Sequence, residues 1–332
     1  MRTWSGRRVV VTGGTGFLGR HLVAGLRAAG ATVDAPSSRE CDLRDEAAAR
    51  RLLADSPDVV FHLAARVGGI GANRAHPATF FRDTLAMGLN VLEAARSGGA
   101  RKLVQVGTVC SYPKVIPVPF REEDLWNGFP EETNAPYGIA KRALIAGSMA
   151  YAAEFGLQTV NVLLLNLYGE GDNFDPASSH VVPALIRKCL EAEDAGRDAV
   201  EVWGDGTATR GFLYVRDAVE GLMLAGERAV DPTPVNLGAP GEIAIRDLAR
   251  QIGELAGFRG RFLFDPSQPN GQPRRSLDCT RAEQQFSFTA RTPLREGLRR
   301  TIEWYRTERE RERLFPAGAD ATDRPTASAP RS

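Results

Sequence analysis

The sequence predicts an α/β protein built on a doubly wound parallel sheet, with a smaller α/β lobe appended. Three observations carry this. Short β-branched runs recur along the chain; most of them are apolar throughout rather than alternating; and helical segments separate them. Strands buried on both faces read this way, and parallel strands need a crossover helix between them.

The runs are Val9 to Thr12, Asp58 to Leu63, Lys102 to Val106 and Thr159 to Leu165. Between the first two, Phe17 to Ala29 places Leu18, Leu22, Val23 and Leu26 at helical spacing, with Gly30 positioned to end the helix. Tyr137 to Ala153 reads as a second long helix. Beyond residue 175, prolines and glycines break the rhythm into shorter elements, which predicts the second lobe. Gly211 to Val215 and Val235 to Leu237 flank a helical segment, Asp217 to Ala225, and are expected to return to the sheet. The division is therefore 1–175 with 211–240 for the dinucleotide-binding domain and 176–210 with 241–313 for the substrate lobe. Residues 314–332, rich in Ala, Pro, Ser, Thr and Asp, are expected to be a disordered tail.

Composition excludes several classes. The chain has 332 residues, 43% hydrophobic, enough for a sizeable core. With 42 Lys+Arg against 41 Asp+Glu it has no global field to gather nucleic acid or an anionic membrane. Cys41, Cys110, Cys189 and Cys279 lack CxxC spacing, so neither a zinc site nor a disulfide framework is expected, and no apolar run is long enough for a membrane span. With no secretory leader read at its start, a cytoplasmic location is the expectation.

Ligands of an open parallel sheet bind beyond the carboxyl ends of its strands, so the loops there matter most. After the first strand comes Gly13-Gly14-Thr15-Gly16-Phe17-Leu18-Gly19. Glycines three apart let the backbone approach a pyrophosphate seated on the next helix's N-terminus, which marks a Rossmann-type dinucleotide site. At the adenosine end, Asp34 suits a ribose 2′-OH and hence NADH. Ser37, Ser38 and Arg39 follow at once and suit the 2′-phosphate of NADPH, so both cofactors stay open. Asp42 falls where the adenine edge is reached.

Tyr137 and Lys141 are four apart, on one helical face, and an ammonium beside a phenol is expected to lower the tyrosine pKa and make it a proton donor near neutral pH. Thr108, just past a strand, offers a hydroxyl to the same substrate oxygen. Cys110 and His180 by themselves read equally as a small buried side chain and a capping or core histidine.

At this point the chain resembles the extended short-chain dehydrogenase/reductases over about residues 7 to 310. Within them it is similar to the branch that acts as 3,5-epimerase and 4-reductase on GDP-4-keto-6-deoxy-mannose with NADPH. The glycine loop and Tyr137-x-x-x-Lys141 mark the superfamily. Ala64-Ala65-Arg66-Val67-Gly68-Gly69-Ile70, Cys110-Ser111-Tyr112-Pro113-Lys114, Asn166-Leu167-Tyr168-Gly169, Asp172-Asn173-Phe174 and Ser179-His180-Val181 are narrower. The resemblance implies Cys110 as base and His180 as acid for inversion, with Tyr137, Lys141 and Thr108 serving reduction, Tyr137 and Lys141 also standing against the cofactor and Lys141 contacting its nicotinamide ribose. It implies Ala64, Ala65, Asn166 and Leu167 along the cofactor, and Asn173, Arg187, Trp203, Arg210 and Arg275 on the nucleotide-sugar. It also implies a homodimer through two long helices, here 77–95 and the one carrying Tyr137. Two departures stand out: threonine replaces the usual serine at 108, and Thr15 occupies a place where relatives carry a basic residue for the 2′-phosphate. An enzyme that only epimerises or only reduces another nucleotide's 4-keto-6-deoxy sugar is the alternative.

Overall fold

The computed structural model describes residues 4–314. In chain order the elements are β1 (Arg8–Thr12), α1 (Phe17–Ala28), β2 (Thr32–Asp34), α2 (Glu46–Leu53), β3 (Val59–His62), α3 (Ile70–Ala75), α4 (Pro77–Ser97) and β4 (Lys102–Thr108). Next come α5 (Ala135–Phe155), β5 (Gln158–Leu164), β6 (Asn166–Tyr168), α6 (Val181–Asp194), β7 (Ala199–Trp203), β8 (Thr209–Arg210), β9 (Phe212–Tyr214) and α7 (Val215–Arg228). The chain ends with β10 (Pro234–Leu237), β11 (Ile243–Ala244), α8 (Ile245–Ala256), β12 (Arg261–Asp265), β13 (Arg274–Arg275), α9 (Thr280–Phe286) and α10 (Leu294–Leu314). Leu314, where the expected tail begins, closes α10; the rest of that tail lies outside the described residues.

The main sheet runs β2-β1-β3-β4-β5-β10, parallel throughout. The chain moves outward from β1 to β2, then returns to β3 on the other side of β1. The reversal opens a crevice between β1 and β3, where a ligand can reach the backbone. Val9, Val11, Val59, Phe61, Val104 and Val106 point to one face and pack against α1, α7 and α9. Val10, Val60 and Leu103 point to the other, against α2, α4 and α5. Both faces are covered, which explains why these strands are apolar without alternation. α5 starts with Pro136 in its first turn, where a missing N–H costs nothing, and ends at Gly156 in the left-handed conformation.

A second core joins α6, α8 and α10 to β7, with Tyr168, Phe212 and Tyr214 at its edge. The segment 212–214 does not enter the main sheet as its apolar run predicts; β9 pairs with β6 instead. The edge beside β5 is taken by β10, through Leu237 opposite Leu164, and Gly211 is held outside by donating to the Arg275 carbonyl at 2.7 Å. None of the described helices is long and apolar enough to cross a membrane.

The long loop after β4 is tied back by Asn236 of β10. Its Oδ1 accepts from the Tyr112 hydroxyl at 2.7 Å, its Nδ2 donates to the carbonyls of Phe120 and Asp278, each at 3.0 Å, and its backbone N–H donates to Glu122 Oε1 at 2.8 Å. Replacing this amide leaves several buried polar groups unpaired. Asn236→Leu is expected to destabilise the protein by about 2–4 kcal/mol, read by urea unfolding; an unchanged midpoint would show that the network carries no stability.

Candidate active site

The glycine loop joins β1 to α1 at the crevice. Gly13 has φ +71°, and a Cβ there would come within 2.9 Å of the Ala64 N, while one on Gly19 would overlap the Gly13 carbonyl. Gly16 caps α1 without a side chain, and the first turn holds no acidic residue. The N–H groups of Phe17, Leu18 and Gly19 therefore open a helix N-terminus suited to a pyrophosphate, with Ala64 and Ala65 across from it at the end of β3. The same turn grips the loop after β6: Arg20 donates to the Gly171 carbonyl at 2.6 Å, and His21 Nε2 lies 2.7 Å from that of Glu170. Asn166 is fixed by donating to the Gly211 carbonyl at 2.9 Å, with Leu167 beside it against the main core.

At the adenosine end Asp34 closes β2, exposed, with Ser38 and Arg39 exposed beyond it. Among the described residues Arg39 makes no ion pair, whereas the Ser37 N–H already donates to Glu40 at 2.7 Å. Asp42 is gripped by Arg44 at 2.9 and 2.7 Å, and these bonds hold its carboxyl down at about 2.

The reactive side chains converge beyond the ends of β4 and β6. Thr108 closes β4, and its hydroxyl oxygen accepts from the Cys110 N–H at 3.2 Å, which leaves its own proton to donate elsewhere. Cys110 sits in a single 3-10 turn, Val109–Ser111, that Arg142 of α5 braces through the Ser111 carbonyl at 3.0 Å. From β13, Arg275 donates to Cys110 Sγ at 3.6 Å and to Gln272 Oε1 at 3.1 Å. Gln272 in turn donates to the carbonyls of Pro113 and Lys114 at 3.1 and 3.0 Å.

Lys141 is buried and donates to the Val106 carbonyl at 2.8 Å; burial pulls its ammonium down to about 8. The lowered Tyr137 pKa expected from its spacing to Lys141 is not what the structure gives. Burial, then the charge of Cys110, pushes the phenol up, while the Lys141 ammonium is engaged with the Val106 carbonyl of β4. The phenol therefore carries its proton in the free protein.

His180 immediately precedes α6 without capping it, so its ring is free. The preceding turn is docked by the Gly69 N–H on the Ser178 carbonyl at 3.1 Å, which joins the Val-Gly-Gly-Ile segment to the Ser-His segment. The ring opens to the cleft, yet enough protein surrounds it that desolvation, then the charge of Arg275, holds the imidazole below its ordinary value. Arg275 thus acts on both Cys110 and His180, and Cys110 acts on Tyr137, so the three share one neighbourhood.

Arg210 joins them. Burial, then the repulsion of Arg275, pulls its guanidinium down to about 9. Arg210 donates to the carbonyls of Thr209 and Asn270 at 2.7 and 3.0 Å, and among the described residues neither guanidinium is paired with a carboxylate, so two neighbouring cations suit a dianionic pyrophosphate. Other expected contacts are otherwise engaged. Arg187 is paired with Glu191 at 3.1 Å one turn on, Trp203 is 52% exposed at the end of β7, and both ends of the Asn173 amide shape its own loop, donating to Ser178 Oγ and accepting from the Asp175 N–H. Among the described residues no hydrogen bond or ion pair links Arg187 or Trp203 to Cys110, His180 or Arg275. Gln272, Arg142 and the buried Glu131, whose charge opposes the lowering of Arg210, are parts that motif reading missed.

Residues 9–238 match the NAD dependent epimerase/dehydratase family. The chain is 38% identical over 299 residues to a GDP-L-fucose synthase of Sinorhizobium fredii, covering 90% of this chain and 95% of that one. It is 36% identical over 320 residues to a GDP-L-fucose synthase of Escherichia coli, covering 93% and 99%. A crystal structure of a GDP-L-fucose synthetase from Naegleria fowleri bound to NADP superposes with a TM-score of 0.82 at 28% identity, over 92% of this chain and 96% of that one.

A methyl at position 19 has no room beside the Gly13 carbonyl. Gly19→Ala is expected to abolish dinucleotide binding, measured as loss of the nicotinamide fluorescence change on titration; full binding by this variant would place the cofactor elsewhere.

Proposed function

The chain belongs to the NAD dependent epimerase/dehydratase family, and on that premise we propose that it converts GDP-4-keto-6-deoxy-D-mannose to GDP-L-fucose, inverting C3 and C5 and then reducing C4 with NADPH. The observation that carries this reading is the shared position of Arg275, against the Cys110 sulfur and within electrostatic reach of His180.

The C4 ketone acidifies the hydrogens at C3 and C5, since loss of either leaves an enolate. Cys110 takes the proton on one face of the ring and His180 returns one on the other. Free, His180 is held toward its neutral form by desolvation and by Arg275. A GDP pyrophosphate seated against Arg210 and Arg275 offsets the guanidinium charge, which restores proton affinity to the imidazole when substrate is present. Thr108 donates to the C4 oxygen, and Tyr137, already protonated, transfers its proton to that oxygen during reduction. Lys141 holds its charge beside this exchange. Bound NADPH supplies the hydride for C4. The loop of Gly13 to Gly19 would seat its pyrophosphate, and Arg39, exposed and without an ion pair among the described residues, would hold its 2′-phosphate with Ser38. Asp34 and Asp42 complete the adenosine end.

Assembly is proposed as a homodimer through α4 and α5, where Phe81 and Leu89 of α4 are 37% and 44% exposed and Phe155 at the end of α5 is 48% exposed. The reaction is placed in the cytoplasm, in keeping with four free cysteines.

Separate residues for the two steps make them separable. Tyr137→Phe is expected to slow reduction by about a hundredfold or more while solvent deuterium still enters C3 and C5. Cys110→Ser is expected to cut that exchange by a similar factor; exchange undiminished in this variant returns Cys110 to a packing role. Arg39→Ala is expected to weaken NADPH binding by about tenfold and leave NADH binding unaltered, since one charge-assisted contact to phosphate is lost. Equal loss for both cofactors would remove Arg39 from 2′-phosphate recognition.

A further inference from the structure

Lys141 has three N–H donors, and among the described residues one acceptor, the Val106 carbonyl. Directly before Val106 stands Gln105, part of a polar row that crosses the sheet. β1, β3 and β4 set Thr12 opposite His62 and His62 opposite Gln105, and all three side chains are buried. The row faces α5: Gly107, two residues beyond Gln105 and so on the same face, looks onto Ile145. Thr12 Oγ1 lies 2.8 Å from His62 Nδ1, which fixes the ring, while among the described residues His62 Nε2 and both amide atoms of Gln105 have no partner. Ser148 Oγ, on the same stripe of α5 as Tyr137 and Lys141, is also unpartnered. A native interior rarely leaves so many buried polar atoms together without ordered water to join them.

The charges fit this arrangement. Burial, then the Lys141 ammonium, holds His62 down at about 3, so its ring is neutral. Beside an ammonium the favoured tautomer keeps its proton on Nδ1, given to Thr12, and turns the Nε2 lone pair inward. Tyr137 stands one turn earlier on α5, and Cys110, whose charge bears on that phenol, follows β4. The carboxylates of α4 are committed elsewhere, Asp83 to Arg82 at 2.9 Å and Glu93 to Arg96 at 2.6 Å, and β5 carries no titratable side chain.

We propose that His62 and Gln105 are positioning residues for Lys141: through bound water they accept from one of its remaining N–H groups and keep it an ammonium in a buried setting. This rests on the reading in which Tyr137 and Lys141 serve reduction. It gives a reason for a strand histidine and a strand glutamine that touch neither reacting atoms nor solvent.

The sequence holds four lysines, Lys102, Lys114, Lys141 and Lys188, so the full chain labelled with ¹³C-lysine gives four side-chain signals, Lys141's being the one lost in Lys141→Met. Its titration is read directly, without substrate or cofactor. Gln105→Met keeps the length of the side chain and removes the acceptor, and is expected to lower the midpoint by about half a pH unit or more. Gln105→Glu puts a carboxylate there and raises it. His62→Phe lowers it, and His62→Gln, which restores an acceptor, returns it toward the parent value. The alkaline limb of NADPH-dependent reduction, where activity is lost as pH rises through the Lys141 titration, moves in the same direction in each variant. The proposal is overturned if Gln105→Met leaves the midpoint in place, or if Gln105→Met and Gln105→Glu move it the same way. A parent protein that consumes no NADPH with GDP-4-keto-6-deoxy-mannose, while these titrations shift as stated, overturns the assigned reaction and leaves the positioning role standing.

Discussion

The contact on which the site depends is made by one guanidinium. Arg275 belongs to β13, in the small sheet β11-β8-β13, yet it donates to the Cys110 sulfur at the end of the main sheet. It also bears on His180, which immediately precedes α6. A buried cation is costly unless hydrogen-bonded, and Gln272 meets that cost while tying the loop after β4 to the same segment. Arg275 is thus the group that bears on both thiol and imidazole.

Burial does most of the electrostatic work. It raises Tyr137, lowers Lys141, lowers His180 and lowers Arg210, and in each case it outweighs neighbouring charges. The free site thus holds its phenol protonated and its cations eager for an anion. A nucleotide diphosphate is the complement of that state, since its charge relieves the repulsion between Arg210 and Arg275. In the proposed reaction, substrate binding and the readiness of His180 to carry a proton are coupled through Arg275.

Much of the fold was legible because buried parallel strands announce themselves by composition alone. Val9 to Thr12 and Lys102 to Val106 needed no partner to be recognised, and the glycine loop derives its meaning from the strand before it and the helix after it. Tyr137 and Lys141 were legible as a pair through helical spacing; the direction of the tyrosine's shift was not, since spacing says nothing about where an ammonium points. The strand at 212–214 was misplaced because an apolar run does not say which edge is free. Gln272, Arg142, His62 and Gln105 were hidden for a different reason. They are ordinary residues whose roles arise from register across distant segments, as when β3 and β4 bring His62 and Gln105 side by side.

The central claim is that the Cys110 sulfur and the His180 ring flank one sugar beside the Tyr137 hydroxyl. A crystal structure of the Tyr137→Phe protein with NADP⁺ and the GDP-4-keto sugar tests it most directly. The account predicts the sulfur and the imidazole on opposite faces of the ring, each within hydrogen-bond reach of C3 or C5, with the pyrophosphate on Arg210 and Arg275. A sugar seated away from either side chain, or the two side chains lining separate cavities, would contradict it.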